Sequence, residues 1–185
     1  MRKSARQLLL GAASAMLASS ALAQNANSVS VSAIVNPIAT GLAVEYERLL
    51  GKSASLGLRY ASFSYDYKDE PYREEGDVKG FDVTGRYYFS GEGMKGLYLG
   101  AAVGRYKSDW DWTDPSSTRK SGSGSTDSWH YGALVGYKFL FTRNFFADVF
   151  ATAGTWAGSG KDNTGTKESE LGAYVAVGAG LGMQF

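Results

Sequence analysis

The sequence predicts an all-β fold, an eight-stranded antiparallel up-and-down transmembrane β-barrel, on three observations. Hydrophobicity alternates with a period of two along nearly the whole chain. Tight turns alternate with long polar connections, which suits strands that all cross one layer. An export signal precedes the pattern, and no apolar run after it is long enough for a membrane helix.

The export signal comes first. Arg2, Lys3 and Arg6 form a basic start, Leu8 to Leu17 a short apolar run, and Ala21-Leu22-Ala23 a small-x-small cleavage pattern. Residues 1–23 are read as a cleaved signal peptide and 24–185 as the barrel domain. Loss of the three basic residues of the signal lowers Lys+Arg from 19 to 16, against 18 Asp+Glu. That balance argues against nucleic-acid binding. The chain has no cysteine, so neither disulfides nor thiolate metal sites are available to it. Glycine (24) and aromatics (12 Tyr, 9 Phe, 4 Trp) are abundant and proline (3) is scarce. An exported chain of that kind is either a soluble β-sandwich or a barrel in the outer membrane.

The alternation places the strands at about 28–36, 40–49, 53–66, 79–90, 96–109, 128–140, 144–157 and 170–185. The last is the clearest. Val175, Val177, Ala179, Leu181, Met183 and Phe185 share one face, and Ala176, Gly178, Gly180, Gly182 and Gln184 share the other. Tyr131, Ala133, Val135, Tyr137 and Phe139 repeat the pattern, as do Leu97, Leu99, Ala101 and Val103. The 53–66 strand is irregular beyond Tyr60. In 144–157, Asp148 argues for inward even positions, which puts Phe146, Phe150 and Trp156 inside as well. Gly51-Lys52, Gly91 to Lys95 and Thr142-Arg143 are read as tight turns. Residues 67–78, 110–127 and 158–169 are read as long polar loops, and Pro37 to Thr40 as a short outer link. Short turns on one side and long loops on the other separate a barrel from a soluble sandwich.

Hydrocarbon leaves no partner for a bare sheet edge, so the sheet must close. Eight strands enclose a lumen only wide enough for side chains. The predicted interior set is Glu45, Glu47, Arg59, Asp82, Arg86, Lys138 and Asp148, four acids and three bases. Buried charge is tolerated when paired, so these residues are expected to form an ion-pair network. Inward glycines at 100, 104, 136, 178, 180 and 182 leave room for it. Tyr60, Tyr87, Phe89, Trp110, Trp112, Trp129, Phe139, Phe141 and Phe145 are expected in interfacial girdles.

Some motifs invite other readings. Gly91 to Gly96 matches GxGxxG but joins two strands, where a dinucleotide site needs a helix to follow. Gly100 and Gly104 match a helix-packing spacing but lie in a strand. His130 is the only histidine, with Ser128 and Asp127 nearby. A hydrolase needs a base aligned on its nucleophile and held by a third group, and Asp127 has the opposite strand parity. Glu74-Glu75 and the pair Asp109 and Asp111 read as solvated loop charge, with weak divalent-cation binding as the alternative. No catalytic residue, metal site or cofactor is assigned.

The C-terminal alternation ending in Leu181, Met183 and Phe185 resembles the assembly signal of outer-membrane barrels. The whole chain after the signal resembles the small eight-stranded barrels of the OmpA-transmembrane and OmpX type, and the segments VEYER at 44–48, GRYYFS at 85–90, GLYLGA at 96–101 and GALVGYK at 132–138 resemble a family of small bacterial outer-membrane barrels with no assigned function. The resemblance covers residues 28–185. It implies an outer-membrane location, lipid, lipopolysaccharide and the barrel assembly machinery as partners, and a monomer. It implies no catalytic residue. The expected function is a non-enzymatic structural, envelope-integrity or surface-interaction role through the outer loops. A lipid A-modifying enzyme using Ser128 and His130, or a narrow channel, are the alternatives.

Overall fold

The computed structural model describes residues 26–116, 121–162 and 167–185. The predicted signal peptide, residues 1–23, lies outside the described residues. Eight antiparallel strands form one closed ring in chain order: β1 (Asn27–Val35), β2 (Ala39–Leu50), β3 (Ala54–Asp69), β4 (Tyr72–Tyr88), β5 (Gly96–Thr113), β6 (Ser121–Leu140), β7 (Phe145–Asp162) and β8 (Lys167–Gln184). β8 closes the ring on β1 through Ser28↔Gln184 to Val35↔Val177.

The register fixes the shape. Paired residues followed around the ring from Val35 run through Thr40, Ser64, Asp77, Asp109, Ser125 and Lys161 to Lys167. That is ten residues short of Val177, the β8 residue that Val35 itself pairs with. A stagger of this size on eight strands tilts them by roughly 40°. The resulting barrel is narrow, with alternate side chains inside and outside.

The outer surface has a sharp boundary. On β5 the outward face runs Leu97, Leu99, Ala101 and Val103, then switches to Arg105, Lys107, Asp109 and Asp111, all exposed. On β4 Asp77 and Lys79 give way to Phe81, Val83 and Tyr87. The apolar belt would be costly in water, but in hydrocarbon it leaves no polar group unpaired. Phe89, Phe139, Phe141 and Phe145 project outward at the end with the tight turns. Exposed Phe81 packs on Tyr60 with ring centroids 5.0 Å apart, and Trp129 projects outward at the other margin.

The expected loops 67–78, 110–127 and 158–169 are corrected in part. β3 and β4 pair as far as Asp69↔Tyr72, and β5 and β6 as far as Thr113↔Ser121. β7 and β8 pair as far as Lys161↔Lys167. These polar segments therefore rise as ladders above the belt and form a crown. Alternation of apolar and polar side chains fades there because both faces can be polar, while backbone pairing continues. β3 also keeps its facing beyond Tyr60, with Ala61, Phe63 and Tyr65 turned inward. The GxGxxG segment is a turn between β4 and β5. Gly91, Gly93 and Gly96 have φ of 67°, 87° and 78°, a left-handed backbone that suits glycine.

Candidate functional site

The barrel interior has two storeys. The lower one, toward the tight turns, is filled by charge and aromatic rings. Glu47 is its hub. Its Oε2 accepts from Lys138 Nζ at 2.6 Å and Arg86 Nη1 at 2.9 Å. Its Oε1 accepts from Tyr88 Oη at 2.7 Å and Ser55 Oγ at 2.5 Å. Arg86 Nη2 also donates to Glu45 at 2.7 Å, and Thr84 Oγ1 donates to the other Glu45 oxygen at 2.8 Å. Two acids and two bases thus neutralise each other in a site shielded from water, which burial of charge requires.

Rings and small residues complete the plug. The Lys138 ammonium lies 4.3 Å from the Phe146 ring centre, and Arg86 lies 5.1 Å from that of Tyr98. Met94, from the turn between β4 and β5, is folded inside and its sulfur accepts from Ser28 Oγ at 3.8 Å. A Cβ at Gly136 would strike Tyr98, and one at Gly182 would strike Phe146. The bareness of those positions is what admits the rings.

A second ion pair joins the neighbouring strands β3 and β4 above the plug. Arg59 Nη2 is 2.7 Å from Asp82 Oδ2, with Nε at 2.9 Å from the same oxygen. Tyr106 Oη donates to that oxygen at 2.5 Å. Gly104 stands where any side chain would strike Asp82.

All seven interior residues read from the sequence lie buried inside. Six of them make ion pairs: Glu45, Glu47, Arg86 and Lys138 in one cluster, Arg59 and Asp82 in the other. Asp148 stands apart. It is opposite Lys138 in the register, but its carboxylate accepts from Tyr98 Oη at 3.0 Å. Sequence reasoning missed the phenols of Tyr88, Tyr98 and Tyr106, although their parity matches that of Arg86 and Asp82. Leu181 lies outward and exposed, with Met183 on the same face. Phe185 N donates to the Asn27 carbonyl at 2.9 Å and Asn27 N to the Phe185 carbonyl at 3.0 Å, which ties the last residue to β1.

Above the Arg59–Asp82 pair the interior is open. A cavity of about 1060 Å³ reaches up into the crown. Its walls include Tyr65, Tyr106, Trp110, Trp112, Trp156 and Tyr174. Trp110 and Trp112 are therefore corrected from girdle to interior, on the same even parity as Tyr106. Girdle residues must face lipid, and these two are turned to the barrel axis well beyond the belt. Tyr72 stacks on Trp112 with centroids 6.3 Å apart, and Glu74 accepts from Tyr65 Oη at 2.7 Å and from Tyr72 Oη. Burial and these bonds to Glu74 push both phenols up from their ordinary pKa.

Ser128 and His130 share this cavity, with Oγ 3.1 Å from Nε2. Asp127 does not join them. It faces outward and takes two hydrogen bonds from Arg105, at 2.8 and 2.7 Å. His130 is flanked by the rings of Tyr106 and Tyr174, at 4.5 and 5.6 Å.

No protein family model matches the chain, and no curated protein matches it. Solved structures do. The attachment invasion locus protein Ail of Yersinia pestis is 15% identical, with a TM-score of 0.53 over 88% of this chain and 100% of that one. Ail in complex with the heparin analogue sucrose octasulfate gives 12% identity and a TM-score of 0.52 over the same shares. A major outer membrane protein from Thermus thermophilus is 16% identical, with a TM-score of 0.51 over 86% of this chain and 98% of that one. Ring closure, strand count and these likenesses agree: the chain has the fold of the small eight-stranded outer-membrane β-barrels.

Proposed function

We propose that this chain is a non-enzymatic outer-membrane protein that acts at the cell surface through its crown. On this reading residues 1–23 are removed on export. The Leu181, Met183 and Phe185 face is read by the assembly machinery, and the mature chain sits as a monomer among lipid and lipopolysaccharide. The observation that carries the proposal is the plug around Glu47. A filled lower storey leaves no water path between the two ends, so exposed chemistry concentrates above the belt. The crown is paired backbone dressed with charge, including Asp66, Arg73, Glu75, Lys107 and Asp109. Rigid ladders suit contact with a surface better than unpaired loops, because less order has to be imposed on binding. Ail, a protein named for attachment and invasion, has the same fold.

The test is complementation of a deletion strain. A variant with residues 66–75 replaced by a two-residue Asn-Gly turn should still show heat-modifiable mobility in the outer membrane. It should fail to restore adhesion or envelope integrity where the full chain restores them. A deletion strain normal in both would contradict the proposal.

The Ser128–His130 contact favours one rival, a lipid A-modifying enzyme. A nucleophile and base are in reach of each other, but the carboxylate that would orient the base is bound to Arg105 on the outer face. Lipid A mass spectra from wild-type and His130→Ala strains separate the readings. Identical spectra end the enzymatic one.

A further inference from the structure

The open upper storey is a built space. Four of its aromatic rings lie close against glycines of the neighbouring strand: Trp110 on Gly124, Trp112 on Gly122, Trp156 on Gly172 and Tyr65 on Gly76. A Cβ at any of these glycines would strike the ring. The aromatic surface is thereby turned into wall rather than filling. Tyr98 and Phe146 are seated on Gly136 and Gly182 in the same way in the storey below, but there charged and aromatic neighbours fill the space between the rings.

The cavity also opens sideways. β1 ends at Val35, opposite Val177, yet β8 continues upward to Lys167, paired there with β7 alone among the described residues. The short β1–β2 hairpin thus leaves a notch in the wall. The outward residues Ala173 and Val175 line the same cavity as the inward Tyr174, so the space reaches past this edge. Around the notch Leu171, Val175 and Ile38 are 80%, 62% and 53% exposed, and all are apolar. On β8 the apolar outward face runs unbroken from Leu171 down into the belt. Among the described residues, the outward face of β8 from Leu171 to Leu181 carries no charge.

The polar groups inside narrow the ligand. Arg59 and Asp82 neutralise each other, while the lining also carries the carboxylates of Glu74, whose two oxygens each accept from a phenol, and Asp114, so it disfavours an anionic ligand. One donor is spare. Arg59 Nη1 is buried and has no hydrogen-bond partner among the described residues, while Nε and Nη2 are held on Asp82. A buried donor left unmade costs stability, which a ligand acceptor recovers on binding. The volume suits a ligand of drug-like size.

We propose that the upper storey binds a neutral polycyclic aromatic molecule carrying a carbonyl or hydroxyl oxygen, admitted from the outer leaflet through the β1–β8 notch. Its rings lie against the tryptophan and tyrosine walls. Its oxygen accepts from Arg59 Nη1 at the floor.

Equilibrium dialysis tests this with naphthoquinone, which has the acceptors, and naphthalene, which has the rings alone. Nanodiscs carrying the full mature chain are compared with empty nanodiscs of the same lipid. The protein should retain one extra equivalent of naphthoquinone at saturation, and bind naphthalene more weakly. Arg59→Lys keeps a cation beside Asp82 and removes the fork. It should weaken naphthoquinone roughly tenfold, as loss of one charged hydrogen bond does, and leave naphthalene unchanged. Ala176→Phe and Gly124→Val each crowd the cavity from a different wall and should abolish both. Heat-modifiable mobility verifies that each variant is folded. No excess retention over empty discs would overturn the proposal, as would an equal effect of Arg59→Lys on both probes, or full binding in both crowded variants.

Discussion

Lys138 Nζ rests 2.6 Å from Glu47 Oε2, although the two residues are 91 positions apart in the chain. The contact joins β6 to β2 across the lumen, between strands that share no ladder. Both side chains are almost wholly buried. It is the central tie of the plug, and removal of one partner strands the other. Glu47→Ala leaves the Lys138 ammonium without its carboxylate, at a cost of about 3–5 kcal/mol. Urea unfolding in lipid vesicles should show that loss. The double change Glu47→Met with Lys138→Met should cost less than Glu47→Ala alone, because the Lys138 charge is no longer stranded. A Glu47→Ala protein as stable as the wild type would show that the Glu47–Lys138 contact does not hold the barrel together.

The lipid-facing parity makes a second prediction. Val135 faces outward in the belt, and Asp111 faces outward in the crown. Val135→Arg should destabilise the folded state by about 2–4 kcal/mol, the usual penalty for a cation at the bilayer midplane. Asp111→Arg should stay within about 0.5 kcal/mol of wild type. Equal effects in vesicle unfolding would mean that the belt is misplaced.

The crown gives a prediction in pH. Asp66 accepts from Arg73 Nε and Nη2, at 3.1 and 3.0 Å, and pairs with Lys68 at 3.1 Å. Hydrogen bonds from Arg73 and then Lys68 hold its carboxyl below the usual value of 3.8. A depressed folded value means that the contribution is fully present above pH 3.8 and is lost as pH falls through the Asp66 transition. An NMR titration should place Asp66 below 3.8 in the wild type, with an upward shift in Arg73→Ala. The same midpoint in both proteins would show that the pair does not hold in solution.

The lower half of this barrel is legible in the sequence and the upper half much less so. In the belt one face meets lipid and the other meets charge, so Val135 and Lys138 declare opposite sides by polarity alone. In the crown both sides can be polar, so the ladders of β3 through β8 read as loops. Trp110 and Trp112 suit the membrane margin by residue type, because aromatics collect there. Their even parity, continuous with Tyr106, is the signal that they turn inward. Two features have no local signal. Met94 reaches the plug because its turn folds back under the barrel. The notch beside β8 arises from the shortness of β1 relative to its neighbour, which only the full register around the ring reveals.

The ring is closed, and its lower storey is filled by the Glu47 cluster. Planar-bilayer recording of the purified protein is the decisive measurement. A filled lower storey should give insertion without steady conductance. A stable ohmic current carried by the wild-type chain would contradict it.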